Sequence, residues 1–490
     1  MVNAMSKVQI DILAHADFSG RLRRTKKYPG HSVYATTIEN LRRQNPNGTL
    51  LLDAGDEFST TFWGGLPMVK AVSLAGTDAM TLGNHEFDRG EDWQQMCIQA
   101  ADFPILCANV IRKVDGQLIP GTKPWLMLER QGIKIGVLGI TTEYTPYMVT
   151  ATSIEPFQML SCVETCRKYI PEMKAAGAQI TVLLAHIPFY IEGDVISGEL
   201  VELLEQIPEV DVCIGGHIPG DYAGLWHNTV VLKGGFGGVS LPHATVIFDT
   251  ETGCVAEKSC RVHLTDVQLE PLAVYREYAD SVTKPFDDFF EKPLTHTDEV
   301  WTIRLSAETK LCNFLAQCVE EAAGTDIAYM NATSSGGSIQ PGPVTAEDIT
   351  GVMGFNDPIL KAEITGKQLY ELFELVYVPE RFGNNAGLMY SGIVVHADHT
   401  KPASQKIQKI TLRDGTPIDP NRVYTVATSE YMSTGGNDTG LVAKQLHWEE
   451  IGVRMYDALF ASIEKHGCLY VTPEQRMHEI GRPENDNAPF

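Results

Sequence analysis

Two successive α/β units joined by a helical linker are what this chain of 490 residues predicts. Three observations lead there. Up to about residue 265, short apolar runs alternate with helix-periodic segments, the pattern of a layered α/β domain. Several of those runs stop at glycine-rich exits that carry His, Asp or Asn. After a charged amphipathic stretch, a second series of strand-like and helix-like segments begins near Glu299. A chain of this length is expected to hold two or three cores. The boundaries that result are 1–265, a linker helix within 266–295, a second unit over 296–480 and a tail, 481–490.

Taken in order, Val8–Ala14 reads as a buried strand leading to His15, Asp17 and Ser19. Thr49–Ala54 leads to Gly55-Asp56. The run A-M-T-L stops at Gly83 and delivers Asn84, His85, Glu86 and Asp88 into one turn. Gln179–Leu184 leads to His186, and Val210–Ile214 to Gly215-Gly216-His217. Ile133–Thr141, Thr229–Gly234 and His243–Asp249 add strands, with helices at Ile154–Ala176 and Glu199–Gln206. Pro271 to Glu291 reads as the linker helix. The second unit holds an amphipathic helix, Ala307–Ala323, stopped by Gly324. A strand, Asp326–Asn331, then leaves into T-S-S-G-G-S. A helix at Lys367–Val376, strands at Gly392–Val395 and Tyr424–Thr428, and the turn S-T-G-G-N-D-T-G follow. Gly481–Phe490 is polar and expected to fray.

Composition excludes some functions. Hydrophobic residues make up 43% and charged ones 21%, ordinary for a globular chain. A formal net charge of −23 argues against a nucleic acid polymer as partner, since nothing would neutralise its phosphates. No apolar stretch approaches the roughly 20 residues of a membrane span, so no membrane partner is expected. The N-terminal residues show no secretory h-region. The ten cysteines form no C-x-x-C pair and no disulfide spacing. A cytoplasmic location is the expectation.

In layered α/β architectures the strand ends share one rim, where sites are built. A single His or Asp at such an end is usually a turn cap. The set from His15 to His217 reads instead as a metal site, because an amide oxygen, imidazoles and carboxylates are its natural donors. An imidazole with a carboxylate three residues on can donate a proton to a leaving group.

The order Asp17, Gly55-Asp56, Gly83-Asn84-His85-Glu86, His186, Gly216-His217 resembles the calcineurin-like metallophosphoesterases, and the second half resembles the 5′-nucleotidase C-terminal domain. The resemblance implies a four-layer αββα metallophosphoesterase domain, a linker helix and a second α/β substrate-binding domain. It implies a site with one or two divalent ions (Mn, Zn or Fe) held by Asp17, Asp56, Asn84, His186 and His217. It makes His85 and Asp88 the catalytic dyad and Asn331, Phe355, Asp357, Tyr431 and Asp438 the substrate-binding set. The two aromatics would sandwich a planar ring.

The chain departs from that family in two places. The family's D-x-H reads Asp17-Phe18-Ser19 and its G-H-x-H reads Gly216-His217-Ile218-Pro219, so both imidazoles of the first metal site are missing. His15, expected on the same strand face as Asp17, and Asp221 are candidates to replace them; the alternative makes both ordinary polar neighbours. The second metal site should bind well, with the first weak, rebuilt or empty. The loop N-G-G-G-I-R becomes Asn331-Ala332-Thr333-Ser334-Ser335-Gly336, replacing an Arg fork by Gly336. The expected function is metal-dependent hydrolysis of a small phosphoester, a nucleotide or related phosphomonoester, by metal-activated water. The alternatives are a weak or inactive relative binding a nucleotide-like ligand between its domains, and a single-metal phosphodiesterase. Oligomeric state is not legible.

Overall fold

Side-chain alternation along the first strand decides which way the N-terminal unit faces. β1 (Lys7–His15) turns Ile10, Ile12 and Ala14 into a shared core, which sends Leu13 and His15 to the opposite side. β2 (Thr49–Asp53) runs parallel beside it with His15 opposite Asp53, and β3 (Ala79–Thr81) runs parallel to β2. The computed structural model describes residues 7–58, 62–193, 195–207, 210–304, 307–377 and 387–481, without the side chain of Asp438. The expected fraying of the tail falls on 482–490, outside these residues.

β1 to β3 belong to a seven-stranded sheet. A six-stranded sheet contains the parallel strands Ile133–Thr141, Ile180–His186, Val212–Gly215 and Thr229–Lys233. The sheets face each other. Ile10, Ile12, Leu50 and Leu52 of the first pack against Val137, Val182, Ile214 and Leu232 of the second, all fully buried. Each such side chain contributes about 1.5–3 kcal/mol on burial. α1 (Gly30–Arg42) covers the outer face of the first sheet and brings Tyr34 against His15. Helices Cys162–Ala175 and Glu199–Leu204 cover the outer face of the second through Cys166, Ile170 and Leu200. The result is the four-layer αββα stack.

Differences from the sequence reading have local causes. The long helix expected over Ile154–Ala176 is split into Ala151–Ile154, a strand at Phe157–Met159 and the helix Cys162–Ala175. Pro156 disfavours continuation, and the Ser161 hydroxyl restarts the helix by accepting from Glu164 N. Ser240–Asp249 continues through a turn into Cys254–Leu264, an edge strand hidden in sequence by its polar, partly exposed residues.

The chain divides into two compact units, the first running to Val149 with Ser153–Pro285 and the second comprising Thr150–Thr152 and Phe286–Phe490. The segment read as one linker helix is helix Ala273–Thr283, a short 3₁₀ turn and helix Asp287–Glu291. The first of these belongs to the first unit, where Leu272 N donates to Thr36 and Tyr278 to the Pro67 carbonyl.

In the second unit, helix Lys310–Ala323 starts at Thr309, whose hydroxyl accepts from Cys312 N, and ends at left-handed Gly324. It packs on a five-stranded mixed sheet in which Ile327–Asn331 runs parallel to Val423–Ser429 and Pro358–Thr365 antiparallel to the latter. Helix Gly366–Val376 lies in the second core of this unit. Among the described residues no helix is long and apolar enough to cross a membrane.

Asp11 ties the first sheet together. Its buried carboxylate accepts from Gln9, Asn45, His243 and Thr245 at 2.7–2.9 Å. Burial alone would raise its pKa, but these partners hold it well below the usual carboxylate range. Its stabilisation is therefore present above the unfolded value near ~4 and lost as pH falls below that. Urea unfolding should show Asp11→Asn losing about 1–3 kcal/mol at neutral pH, with a shallower decline than wild type on acidification. Parallel curves for the two proteins would contradict this role.

Candidate metal centre

The turn after β3 and the turn after β2 are held by one side chain. Glu86 is fully buried in the 3₁₀ turn His85–Phe87. Its Oε1 accepts from Glu57 N (2.8 Å) and Phe58 N (2.9 Å), and its Oε2 from Asp56 N (2.9 Å) and Gly83 N (2.6 Å). Burial and the Asp56 charge raise its pKa, while the bonds from Phe58 and Asp56 N–H pull the other way. Gly83 is required by close approach: a Cβ there would lie 2.2 Å from Asp56 Oδ1.

So placed, Asp56 Oδ1 accepts from His85 N (2.9 Å) and Oδ2 faces His186 Nε2 at 3.1 Å. Asn84 Oδ1 lies 3.1 Å from the same His186 nitrogen and 2.7 Å from His217 Nδ1. His186 Nδ1 donates to the Ala54 carbonyl at 2.7 Å, which leaves Nε2 as the lone-pair face of the neutral ring. Lone-pair atoms of Asp56, Asn84, His186 and His217 thus converge, and the carboxylate and imidazole donors lie within 4.8 Å of one another. This donor set fits one divalent ion.

The electrostatics agree. Burial alone would raise the Asp56 carboxyl, but the His186 and His85 charges hold it well below the usual range. Burial alone would lower His186, yet Asp56 and Asp17 raise it to about 9, so a metal ion binding here must displace a proton from Nε2 before the ring can ligate. Burial and repulsion from His186 push His217 down to about 3, so this imidazole is neutral and able to ligate. His85 Nδ1 lies 2.8 Å from Asp88 Oδ2, and its Nε2 is 4.0 Å from Asp56 Oδ2. Against burial, the Asp88 and Asp56 charges raise His85 to about 10. A protonated imidazole therefore borders the donor cluster.

At the position of the family's first ion the residues do not fit a metal. Both Asp17 oxygens accept from His217 N, at 3.0 and 3.2 Å. The Ser19 hydroxyl donates to the Asp56 carbonyl, Pro219 offers no side-chain donor, and Asp221 is exposed. Lys233, 1% exposed, donates to the Phe189 carbonyl at 3.3 Å; burial lowers its pKa to about 8 against the attraction of Asp17 and Asp221. The expectation that His15 shares a face with Asp17 fails. Strand alternation stops at His15, because Asp17 adopts a left-handed backbone (φ +56°). Ser19 (φ +51°), Asp56 (φ +63°) and His217 (φ +77°) are left-handed as well, an expensive conformation for residues with a Cβ.

In the second unit, topology gathers the substrate-binding candidates at one end of the five-stranded sheet. Asn331 ends its strand beside the exit of Val423–Ser429, which leads to Tyr431, and the antiparallel pairing of Ile359 with Ser429 brings Phe355 and Asp357 to the same end. The loops interlock: Gly354 N donates to Ser334 O (2.9 Å) and Gly336 N to Val352 O (3.0 Å). Asn331 donates to Thr333, and its Oδ1 is buried without a hydrogen-bond partner among the described residues. The Tyr431 hydroxyl lies 3.2 Å from Asn437 Oδ1, closing the glycine-rich turn. The side chain of Asp438 lies outside the described residues.

Residues 27–221 match the family model for calcineurin-like phosphoesterases, and residues 294–443 match that for the 5′-nucleotidase C-terminal domain. The chain belongs to the 5′-nucleotidase family. It is 25% identical to a 5′-nucleotidase of Rattus norvegicus, over 90% of this chain and 84% of the relative. It is 26% identical to the trifunctional nucleotide phosphoesterase protein YfkN of Bacillus subtilis over 91% of this chain, and spans about a third (34%) of that protein's length. Its fold matches a 5′-nucleotidase precursor from Thermus thermophilus with a TM-score of 0.82 at 21% identity, covering 97% of this chain and 100% of the other. Within this 5′-nucleotidase family member, sequence reasoning gave Glu86 no role and overlooked Lys233, Asp53 and Glu57. In sequence Glu86 is one of several polar residues in the turn after Gly83, beside Asn84, His85 and Asp88, and nothing there singles it out.

Replacing Glu86 by Gln sets an NH₂ against two backbone donors. Glu86→Gln should lose about 2–4 kcal/mol in urea unfolding and bind metal poorly. An unaltered midpoint with unaltered metal content would show that the turns hold without it.

Proposed function

We propose that this protein is a metal-dependent phosphoester hydrolase that acts on a nucleotide or a related phosphomonoester. The observation that carries the reading is the convergence of lone pairs from Asp56, Asn84, His186 and His217 beside the His85–Asp88 pair. A divalent ion held by those four residues would supply a Lewis acid for a phosphoryl oxygen. Water is the nucleophile: its oxygen forms the new bond to phosphorus as the ester P–O bond breaks, and its proton passes to solvent. The chain's own groups supply the rest. Asp88 fixes the His85 ring, and protonated His85 offers Nε2–H to a phosphoryl oxygen as charge develops, then gives its proton to the leaving oxygen. Glu86 keeps Asp56 and Asn84 aligned without touching substrate.

Support for a nucleotide is compositional and topological. Phe355 and Tyr431 occur at one sheet end with Asn331, and aromatic faces stack on any base. Gly336, where the family has Arg, removes a planar anion clamp, which favours a substrate whose recognition leans on its ring rather than on a second negative group.

Metal content and turnover of AMP and of bis(p-nitrophenyl) phosphate test the reading together. His217→Ala should lose the ion and all activity. His85→Ala should keep the ion and lose ~10²–10⁴ in turnover. Preference for the diester would replace the nucleotidase reading by a phosphodiesterase, and an active, metal-free His217→Ala protein would end the mechanism. Phe355→Leu or Tyr431→Leu should raise KM for AMP by roughly 5- to 150-fold with little change in kcat, the worth of one stacked ring. A KM left unchanged by both would make these rings packing residues.

A further inference from the structure

The alternation of β1 and β2 creates a second group of donors away from the metal centre. His15 and Asp53 are register partners at the ends of adjacent parallel strands, on the face turned towards α1. Glu57 follows in the next turn. The side chains of all three are at most 4% exposed. One donor atom from each lies within 4.8 Å of the others, with His15 Nε2 2.9 Å from Asp53 Oδ2 and Nδ1 3.6 Å from Glu57 Oε1. Tyr34 of α1 adds a phenol above the group, its ring centroid 6.0 Å from that of His15.

The hydrogen-bond inventory separates this group from an ordinary polar core. Asp53 Oδ1 accepts from Gly55 N at 2.8 Å and Glu57 Oε1 from Phe18 N at 3.2 Å. The backbone thus anchors each carboxylate by one oxygen. Among the described residues, the other oxygens, Asp53 Oδ2 and Glu57 Oε2, are buried without a hydrogen-bond partner, as are both His15 nitrogens and Tyr34 Oη. The contacts to His15 are close enough for attraction but not aligned as hydrogen bonds. Buried carboxylates left this way are costly unless a positive charge sits among them. Ligands pinned from behind by N–H groups, with one donor atom of each within 4.8 Å of the others, are the arrangement a metal site requires.

We propose that His15, Asp53 and Glu57, with Tyr34 as a fourth donor, bind a second divalent cation of the zinc or manganese class, beneath α1 rather than at the family's first metal position. One imidazole and two carboxylates neutralise such an ion and suit its mixed nitrogen and oxygen preference. The ion ties the ends of β1 and β2 to α1. Because Glu57 follows Asp56 directly, it also braces the turn that presents Asp56 to the metal centre. The site takes no part in the reaction proposed above and does not depend on it.

The test counts ions. Wild-type, His217→Ala, Glu57→Gln and doubly substituted proteins are stripped with chelator, reloaded with Zn²⁺, desalted and measured by elemental analysis. The expected contents are about two, about one, about one and about zero per chain. A wild-type content of about one that Glu57→Gln leaves unchanged and His217→Ala abolishes overturns this proposal while leaving the reaction site intact. Retention of both ions by His217→Ala would instead count against the reaction site. A second measurement needs no variant: crystals of the Zn²⁺-loaded protein should give an anomalous-difference peak at the zinc edge among His15, Asp53 and Glu57. A map with no peak there overturns the proposal, and the buried charge is then offset by a proton.

Discussion

A single buried carboxylate organises the catalytic side of this molecule. Glu86 collects N–H groups from the turns after β2 and β3, which the bond from His85 N to Asp56 Oδ1 also joins. Backbone donors at a strand exit have lost their ladder partners and must find others. By taking four of them, Glu86 fixes the separation of Asp56 from Asn84 and His85 to within hydrogen-bond tolerance. The geometry of the donor cluster then follows from the spacing of parallel strands, since His186 and His217 leave neighbouring strands of the facing sheet.

The layered fold was legible in the sequence because it rests on strongly periodic features: continuous apolar strands and glycine-rich exits. The donors Asp56, Asn84, His186 and His217 were legible for the same reason, each standing at a strand's end or within three residues past it. What sequence could not give is anything that depends on the backbone leaving regular geometry. The pairing of His15 with Asp17 failed because alternation is a property of strands, and the chain stops being one at His15. The strand Cys254–Leu264 was missed because half of it faces solvent, and the helix over Ile154–Ala176 was overextended because a proline and a serine cap act more locally than periodicity. Lys233 looked like the polar end of a strand, and only burial reveals it.

The two units differ in how they hold their loops. In the first, side-chain carboxylates such as Glu86 and Asp17 pin backbone turns, so charge and geometry are fixed together. In the second, the interlocked loops around Asn331 and Phe355 pin each other mainly through backbone hydrogen bonds. Such loops can change side chains without losing shape. The replacement of an anion-binding Arg by Gly336 is a change of that kind, and the sheet end that carries it is intact.

The left-handed backbones at Asp17, Ser19, Asp56 and His217 set stability against function. Glycine would adopt each of these conformations with less strain. Selection for thermal resistance alone would therefore favour glycine at these positions, and each such gain would remove an oxygen or nitrogen from the rim. Strain retained where relief is one substitution away identifies the side chain, not the turn, as what is being kept. A library screened only for heat tolerance would be expected to converge on a sturdier protein with an erased rim.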